Sequence, residues 1–261
     1  MTRDVRWWLR ESAVRIGSLW VPGRQVEATV GRYTKQLFCL THHVDYPYAF
    51  LGSATTIRFR NRCFLVWCRH QTKGYDPNNV TIPVEAGKVL ISGSRFLYIE
   101  TDESNKEEDF SDLCAMEFPT GEYDSANLDS LFFPLQSSEC WGGNADARFF
   151  LFGYPTALRT VEYEVPHVHV RQVVTSGRYH HASNSREIHC LEMTRTMNFG
   201  ADGLSGGPVY QLNRDSDGFF VGLSGIIMRG GDTSDFIHFV DARFLLKLLE
   251  RVLETKSTEL P

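Results

Sequence analysis

The sequence predicts an all-β protein of two antiparallel barrels, with a short helix ahead of them and a longer one behind. Most of the chain is divided into short runs rich in Val, Ile, Phe, Tyr and Thr, with turn residues between them. These runs fall into two similar groups separated by a break near residues 119–127. The last segment then changes to apolar spacing of three and four, the period of a helix. Many short strands without intervening helices favour barrels over βαβ units, and the pattern leaves barrel closure open.

Bulk properties set the outer limits. A chain of 261 residues, 42% hydrophobic and 23% charged, is ordinary globular material, enough for one large domain or two small ones. A formal charge of -5 without a basic stripe argues against a nucleic-acid partner. Arg58, Arg60 and Arg62 read as the solvent side of a strand. No run approaches the ~20 apolar residues of a membrane span. The opening residues lack the apolar core of a secretory signal, which leads us to expect a cytoplasmic protein. On that expectation Cys39, Cys63, Cys68, Cys114, Cys140 and Cys190, which form no CxxC pair, are reduced and mostly buried thiols.

In chain order, residues 4–16 bring Val5, Trp8, Leu9 and Ile16 near one face and predict a short amphipathic helix. Residues 25–40 fit either a second helix (Val26, Val30, Tyr33, Leu37) or an irregular approach to the first strand. Together they make an N-terminal extension, residues 1–40. The first barrel is expected within 41–120, with strands at 53–59 and 63–67 joined as a hairpin through Arg60-Asn61-Arg62, and further strands at 89–91, 96–99 and 113–116. The second, within 128–240, has strands at 148–155, 160–165, 168–174, 187–194, 208–212, 219–228 and 236–240. Asp241 then caps a helix ending near residue 256.

The chemistry centres on Gly203-Leu204-Ser205-Gly206-Gly207-Pro208. Glycines flanking a serine let a loop hold the hydroxyl forward while backbone N–H groups turn toward a developing oxyanion. This loop resembles the nucleophile loop of the trypsin and chymotrypsin superfamily of serine proteases. Gly52-Ser53-Ala54-Thr55 resembles the family's Gly-Ser/Thr-Gly/Ala strand. Phe64-Leu65-Val66-Trp67-Cys68-Arg69-His70 resembles the strand leading to the catalytic histidine, and Asp112-Leu113-Cys114-Ala115-Met116 the run carrying the aspartate. Gly153-Tyr154-Pro155 and Gly225-Ile226-Ile227-Met228-Arg229-Gly230 are similar to the opening of the second barrel and to one wall of the substrate cleft. The resemblance covers the chain from about residue 51 to the C-terminal helix.

The resemblance implies two six-stranded barrels with the site between them and no cofactor. It implies a serine endopeptidase in which Ser205 attacks, His70 accepts its proton and Asp112 orients the imidazole, in the chain order of that template. Asp102 and Asp109 compete with Asp112, but only Asp112 is followed directly by an apolar run. Backbone N–H groups of Gly203 and Ser205 would form the oxyanion hole, and Phe199, Asp202, Met228, Arg229 and Gly230 the primary pocket. With no carboxylate at the pocket base, a small or apolar substrate side chain is expected. The substrate is a protein or peptide.

Three departures bear on activation. Leu204 stands where relatives activated by cleavage carry an aspartate that pairs with the new N-terminus. Gln71 replaces the cysteine after the histidine, and Met228 the serine that supports the aspartate. These leave room for an activating protein partner, or for a protease fold used as a binding or scaffolding module. His42-His43, His180-His181 and His167-Val168-His169 have no Cys, Asp or Glu at recognised zinc spacing, so no metal is expected. The match of Gly203-Leu204-Ser205-Gly206-Gly207 to the α/β-hydrolase elbow fails, because Pro208-Val209-Tyr210-Gln211-Leu212 reads as a strand where that fold needs a helix.

Overall fold

The structure is a computed structural model that describes residues 13–98, 112–119, 130–141, 143–162, 167–182, 187–231 and 235–255. In chain order the elements begin with β1 (Ala13–Ile16), β2 (Leu19–Pro22), α1 (Val26–Gly31), β3 (Thr34–Leu40), β4 (Tyr48–Phe59), β5 (Arg62–Cys68) and β6 (Val80–Val84). They continue with β7 (Val89–Ile91), β8 (Arg95–Tyr98), β9 (Leu113–Phe118), β10 (Phe133–Pro134), β11 (Arg148–Gly153), β12 (Arg159–Glu162) and β13 (His167–Val170). The series closes with β14 (Val173–Ala182), β15 (Ile188–Met193), β16 (Pro208–Asp215), β17 (Gly218–Gly230), β18 (Phe236–Asp241) and α2 (Ala242–Thr255).

Two sheets result. The C-terminal one runs β16-β11-β14-β15-β18-β17, and β16 also pairs with β17, which closes a six-stranded barrel. The N-terminal one runs β7-β6-β3-β4-β5-β9-β8 and curls without closing among the described residues. This architecture is the chymotrypsin-like one, all-β with a half-barrel set against a barrel.

The chain start is where expectation and structure part. Residues 1–12 lie outside the described residues, and Ala13–Ile16 is not helical. It forms β1, which pairs in parallel with β17 through Val14↔Phe219 and Arg15↔Phe220, and with β2 as an antiparallel neighbour. Residues 25–40 hold a short helix, as the first alternative had it, followed not by an irregular approach but by a regular strand, β3. Because β3 pairs with β4, the N-terminal sheet begins at Thr34 rather than at residue 41.

The packing explains the apolar runs. In β5, Cys63, Leu65 and Trp67 point into the N-terminal sheet's own core with Leu37, Ile82 and Met116. Phe64, Val66 and Cys68 point the other way, into a core shared with Phe152, Tyr210 and Ile226 of the barrel. A strand buried on both faces reads as continuous apolar sequence. The β4–β5 hairpin turns on Arg60 and Asn61, both at positive φ (47° and 62°). Two such residues match the right-handed twist of the strands they join. The shared core also takes Leu245 and Leu249 of α2, whose N-terminus is capped by Asp241 Oδ1 accepting the Arg243 N–H at 2.7 Å. All six cysteines are buried. Among the described residues no helix is long and apolar enough to cross a membrane.

Candidate active site

His70 and Asp112 meet because of sheet register. Cys68 at the end of β5 is paired with Leu113 at the start of β9, so residues just beyond that pair emerge at the same edge. His70 lies in a single 3-10 turn, Arg69–Thr72. Its backbone N–H donates to Asp112 Oδ1 at 2.8 Å, and its Nδ1 is 2.5 Å from Asp112 Oδ2. A carboxylate only accepts, so Nδ1 donates in this bond, and in the neutral imidazole Nε2 is then the accepting nitrogen. The imidazole is half exposed.

Gln71 holds this turn. Its Oε1 accepts the Cys68 N–H at 2.7 Å, and its Nε2 donates to the Leu51 and Ser53 carbonyls at 3.2 and 3.0 Å. The sequence marked position 71 only as lacking a cysteine. The last two bonds are a non-covalent tie between the histidine turn and β4.

The Gly-rich loop is fixed from both sheets. Ser53 Oγ donates to the Gly203 carbonyl at 2.6 Å, and Thr55 Oγ1 donates to the Gly206 carbonyl at 2.7 Å. From the barrel, the Gly206 N–H bonds to Ile227 O at 2.8 Å and the Thr156 N–H to Asp202 O at 2.9 Å. Gly203 sits at φ +86°, where a Cβ would run into the Tyr154 carbonyl and the Thr156 backbone. The loop therefore requires glycine there. Leu204 is buried in the barrel core with Trp141, Phe149, Leu191 and Phe239. Among the described residues neither the Gly203 nor the Ser205 N–H donates a hydrogen bond.

The Ser205 hydroxyl donates to the Met228 carbonyl at 2.8 Å and forms no hydrogen bond with His70 in this arrangement. Met228 is at a β-bulge, since the β17–β18 register shifts between Ile227 and Arg229, and a bulge re-aims the groups beside it. Its side chain does not face the cleft. It is buried, with Sδ 3.5 Å from Cys68 Sγ, so only the backbone at 228 stands beside Ser205. The Cys68 thiol, pushed well above its ordinary range by burial and then by the nearby Asp112 carboxylate, is held as a neutral packing group. Cys68, His70 and Asp112 present ligand atoms within 4.8 Å of one another.

Of the other residues picked from sequence, Phe199 is partly exposed, and Asp202 and Arg229 are exposed. A side chain at Gly230 would collide with Ala201 Cβ and Ile237 Cδ1. Both of those residues are buried, so the space beside this wall is already occupied. A cavity of about 500 Å³ is lined by Arg69, His70, Tyr75, Phe96, Tyr98 and Asp112 among others. The Arg69 guanidinium stacks over the Tyr98 ring at 5.2 Å. Sequence reasoning missed this cavity, because Tyr75 lies in the loop after the histidine turn while Phe96 and Tyr98 lie on β8, and no local motif joins them.

No family model matches the chain, and no curated protein matches it in sequence. Solved structures do match. The protease Anisep from Arthrobacter nicotinovorans superposes with a TM-score of 0.51 at 13% identity, covering 80% of this chain and 90% of that one. AL20, a thermostable serine protease from an extremophilic microorganism, gives 0.54 at 10% identity, covering 85% and 97%. The protein thus has the fold of the chymotrypsin-like serine proteases. At these identities the likeness concerns the fold alone.

Proposed function

We propose that this protein is a serine-type endopeptidase with Ser205 as nucleophile, His70 as general base and Asp112 as the group that orients the base. The observation that carries the reading is the His70–Asp112 pair. Two oxygens of one carboxylate hold both the backbone N–H and Nδ1 of His70, which fixes the tautomer with Nε2 ready to accept a proton. The reading requires the Ser205 Oγ to turn from Met228 O toward that nitrogen. The undonated N–H groups of Gly203 and Ser205 then serve the oxyanion, each worth roughly 3 kcal/mol in the transition state.

The substrate is a protein or peptide with a small residue at the scissile position, since Ala201 and Ile237 fill the space beside Gly230. The aromatic cavity next to His70 takes a neighbouring side chain. Leu204, packed in the core, takes over by burial the anchoring role that an ion pair plays in relatives activated by cleavage, so this enzyme needs no new N-terminus to order its loop. We take the site of action to be the cytoplasm. The test is cleavage of an unbiased peptide library. The reading expects a profile that vanishes in Ser205→Ala and His70→Ala, and cleavage retained in Ser205→Ala overturns it.

One observation favours a second reading, a partner-activated enzyme or a binding module. The hydroxyl of Ser205 is engaged by Met228 rather than by His70. A wild type that cleaves nothing alone, yet binds peptides at this cleft, would favour it.

A further inference from the structure

A cluster of ligating side chains lies on the barrel away from Ser205. His180 and His181 are consecutive on β14, and in a regular strand consecutive side chains point to opposite faces. Here the β14–β15 register shifts, pairing Tyr179 with Leu191 and His181 with Cys190. His180 is the extra residue of a bulge, and a bulge breaks the alternation. Both imidazoles consequently fall on one side. Their Nδ1 atoms are in contact, and the ring centroids are 4.6 Å apart. The same side carries Cys190, directly opposite His181 on the neighbouring strand. One nitrogen from each histidine and the Cys190 sulfur lie within 4.8 Å of one another.

The geometry points to a transition-metal site formed by His180, His181 and Cys190, with zinc as the ion its donor set suits best. Two imidazoles and one thiolate are borderline-to-soft ligands, the set that tetrahedral zinc favours and that calcium and magnesium do not. Zinc–nitrogen and zinc–sulfur bonds of ~2.0–2.3 Å put tetrahedral ligand atoms roughly 3.3–3.8 Å apart. Both histidines are exposed, so their side chains can close by that margin. Coordination displaces the thiol proton to solvent. The fourth position is open to water. His238, the register partner of Cys190 from β18 and of Arg229 from β17, lies on the same strand row. The site would clamp β14 to β15 on the strand row that reaches Arg229. Sequence spacing hid it, because Cys190 is brought in across strands.

The test is titration of the metal-free, untagged protein with Co²⁺, followed by visible and near-ultraviolet absorption. The site predicts one ion per chain, the strong ligand-field bands of tetrahedral cobalt, a thiolate-to-cobalt charge-transfer band, and displacement by Zn²⁺. Cys190→Ser should lose the charge-transfer band. His180→Ala and His181→Ala, both at exposed positions, should bind roughly tenfold or more weakly, with circular dichroism and Tm of the metal-free protein unchanged. His70→Ala should bind as wild type does, which separates this cluster from Cys68, His70 and Asp112. The proposal is overturned by absence of stoichiometric binding, by a charge-transfer band that survives in Cys190→Ser, or by loss of binding in His70→Ala. None of these outcomes depends on Ser205 being a nucleophile.

Discussion

Ser53 bridges the two sheets at the Gly-rich loop: its hydroxyl donates to the Gly203 carbonyl at 2.6 Å and accepts the Tyr154 N–H at 2.7 Å. The residue is fully buried on β4, while both partners belong to the C-terminal half. The orientation of the Gly203 peptide is therefore set from the opposite sheet.

Replacing Ser53 by alanine leaves a buried carbonyl and a buried N–H without partners. Each such loss costs about 1–3 kcal/mol. Ser53→Ala is expected to unfold earlier in urea, and to lower kcat roughly tenfold with little change in KM, because the oxyanion contact forms only in the transition state. Denaturant titration and steady-state kinetics on a cleaved peptide check both.

Leu204 gives a sharper contrast. The residue is 2% exposed and packs in the hydrophobic cluster of Trp141, Phe149 and Phe239. Leu204→Asp would bury an uncompensated carboxylate at a cost of about 3–5 kcal/mol. Leu204→Met, close in volume, should cost less than about 1.5 kcal/mol. Thermal unfolding of the two variants decides between anchoring by burial and anchoring by charge.

Stability should fall in acid through Asp241. Burial alone would raise this carboxyl, but the His189 imidazole, 3.6 Å away, and the Arg243 guanidinium and N–H outweigh it and leave it below its ordinary value. A carboxyl depressed in the folded state contributes stability that is present above its unfolded pKa and lost as pH falls through the folded one. The wild-type Tm is expected to drop below about pH 4. Asp241→Asn should have a lower Tm at neutral pH and a flatter dependence, as read by calorimetry across pH.

On the proposed reading, Ile237 limits the size of the residue accepted at the scissile position. Trimming it to alanine removes the Cδ1 that stands where a side chain at Gly230 would go. Ile237→Ala should accept larger residues at the scissile position, with kcat/KM for those substrates rising roughly tenfold or more. The enlarged core space should cost about 2–5 kcal/mol of stability. Competing peptides that differ only at that position give the answer.

The parts of this protein legible in its sequence are those encoded locally. The Arg60-Asn61 turn, the Asp241 cap and the Gly203-to-Pro208 loop are each specified by neighbours in the chain. The meeting of His70 with Asp112 was legible at one remove, because the runs on either side of them pair strand to strand. Other features depend on distant partners. Ala13–Ile16 keeps an amphipathic pattern but is strand because Phe219 and Phe220 offer an edge. Gln71 reads as a plain departure until its bonds to Leu51 and Ser53 are seen. The Met228 bulge turns that side chain into the core, which no alternation pattern predicts, and the bulge at His180 does the same for the cluster with Cys190.

The most direct test of the central claim is the intact mass of the protein after exposure to a fluorophosphonate, with peptide mapping of the adduct. A Ser205 hydroxyl activated by His70 predicts a single adduct per chain, located on Ser205, absent in Ser205→Ala and formed far more slowly in His70→Ala. Labelling of Ser205→Ala at the wild-type rate, or an adduct mapped to another residue, would contradict it.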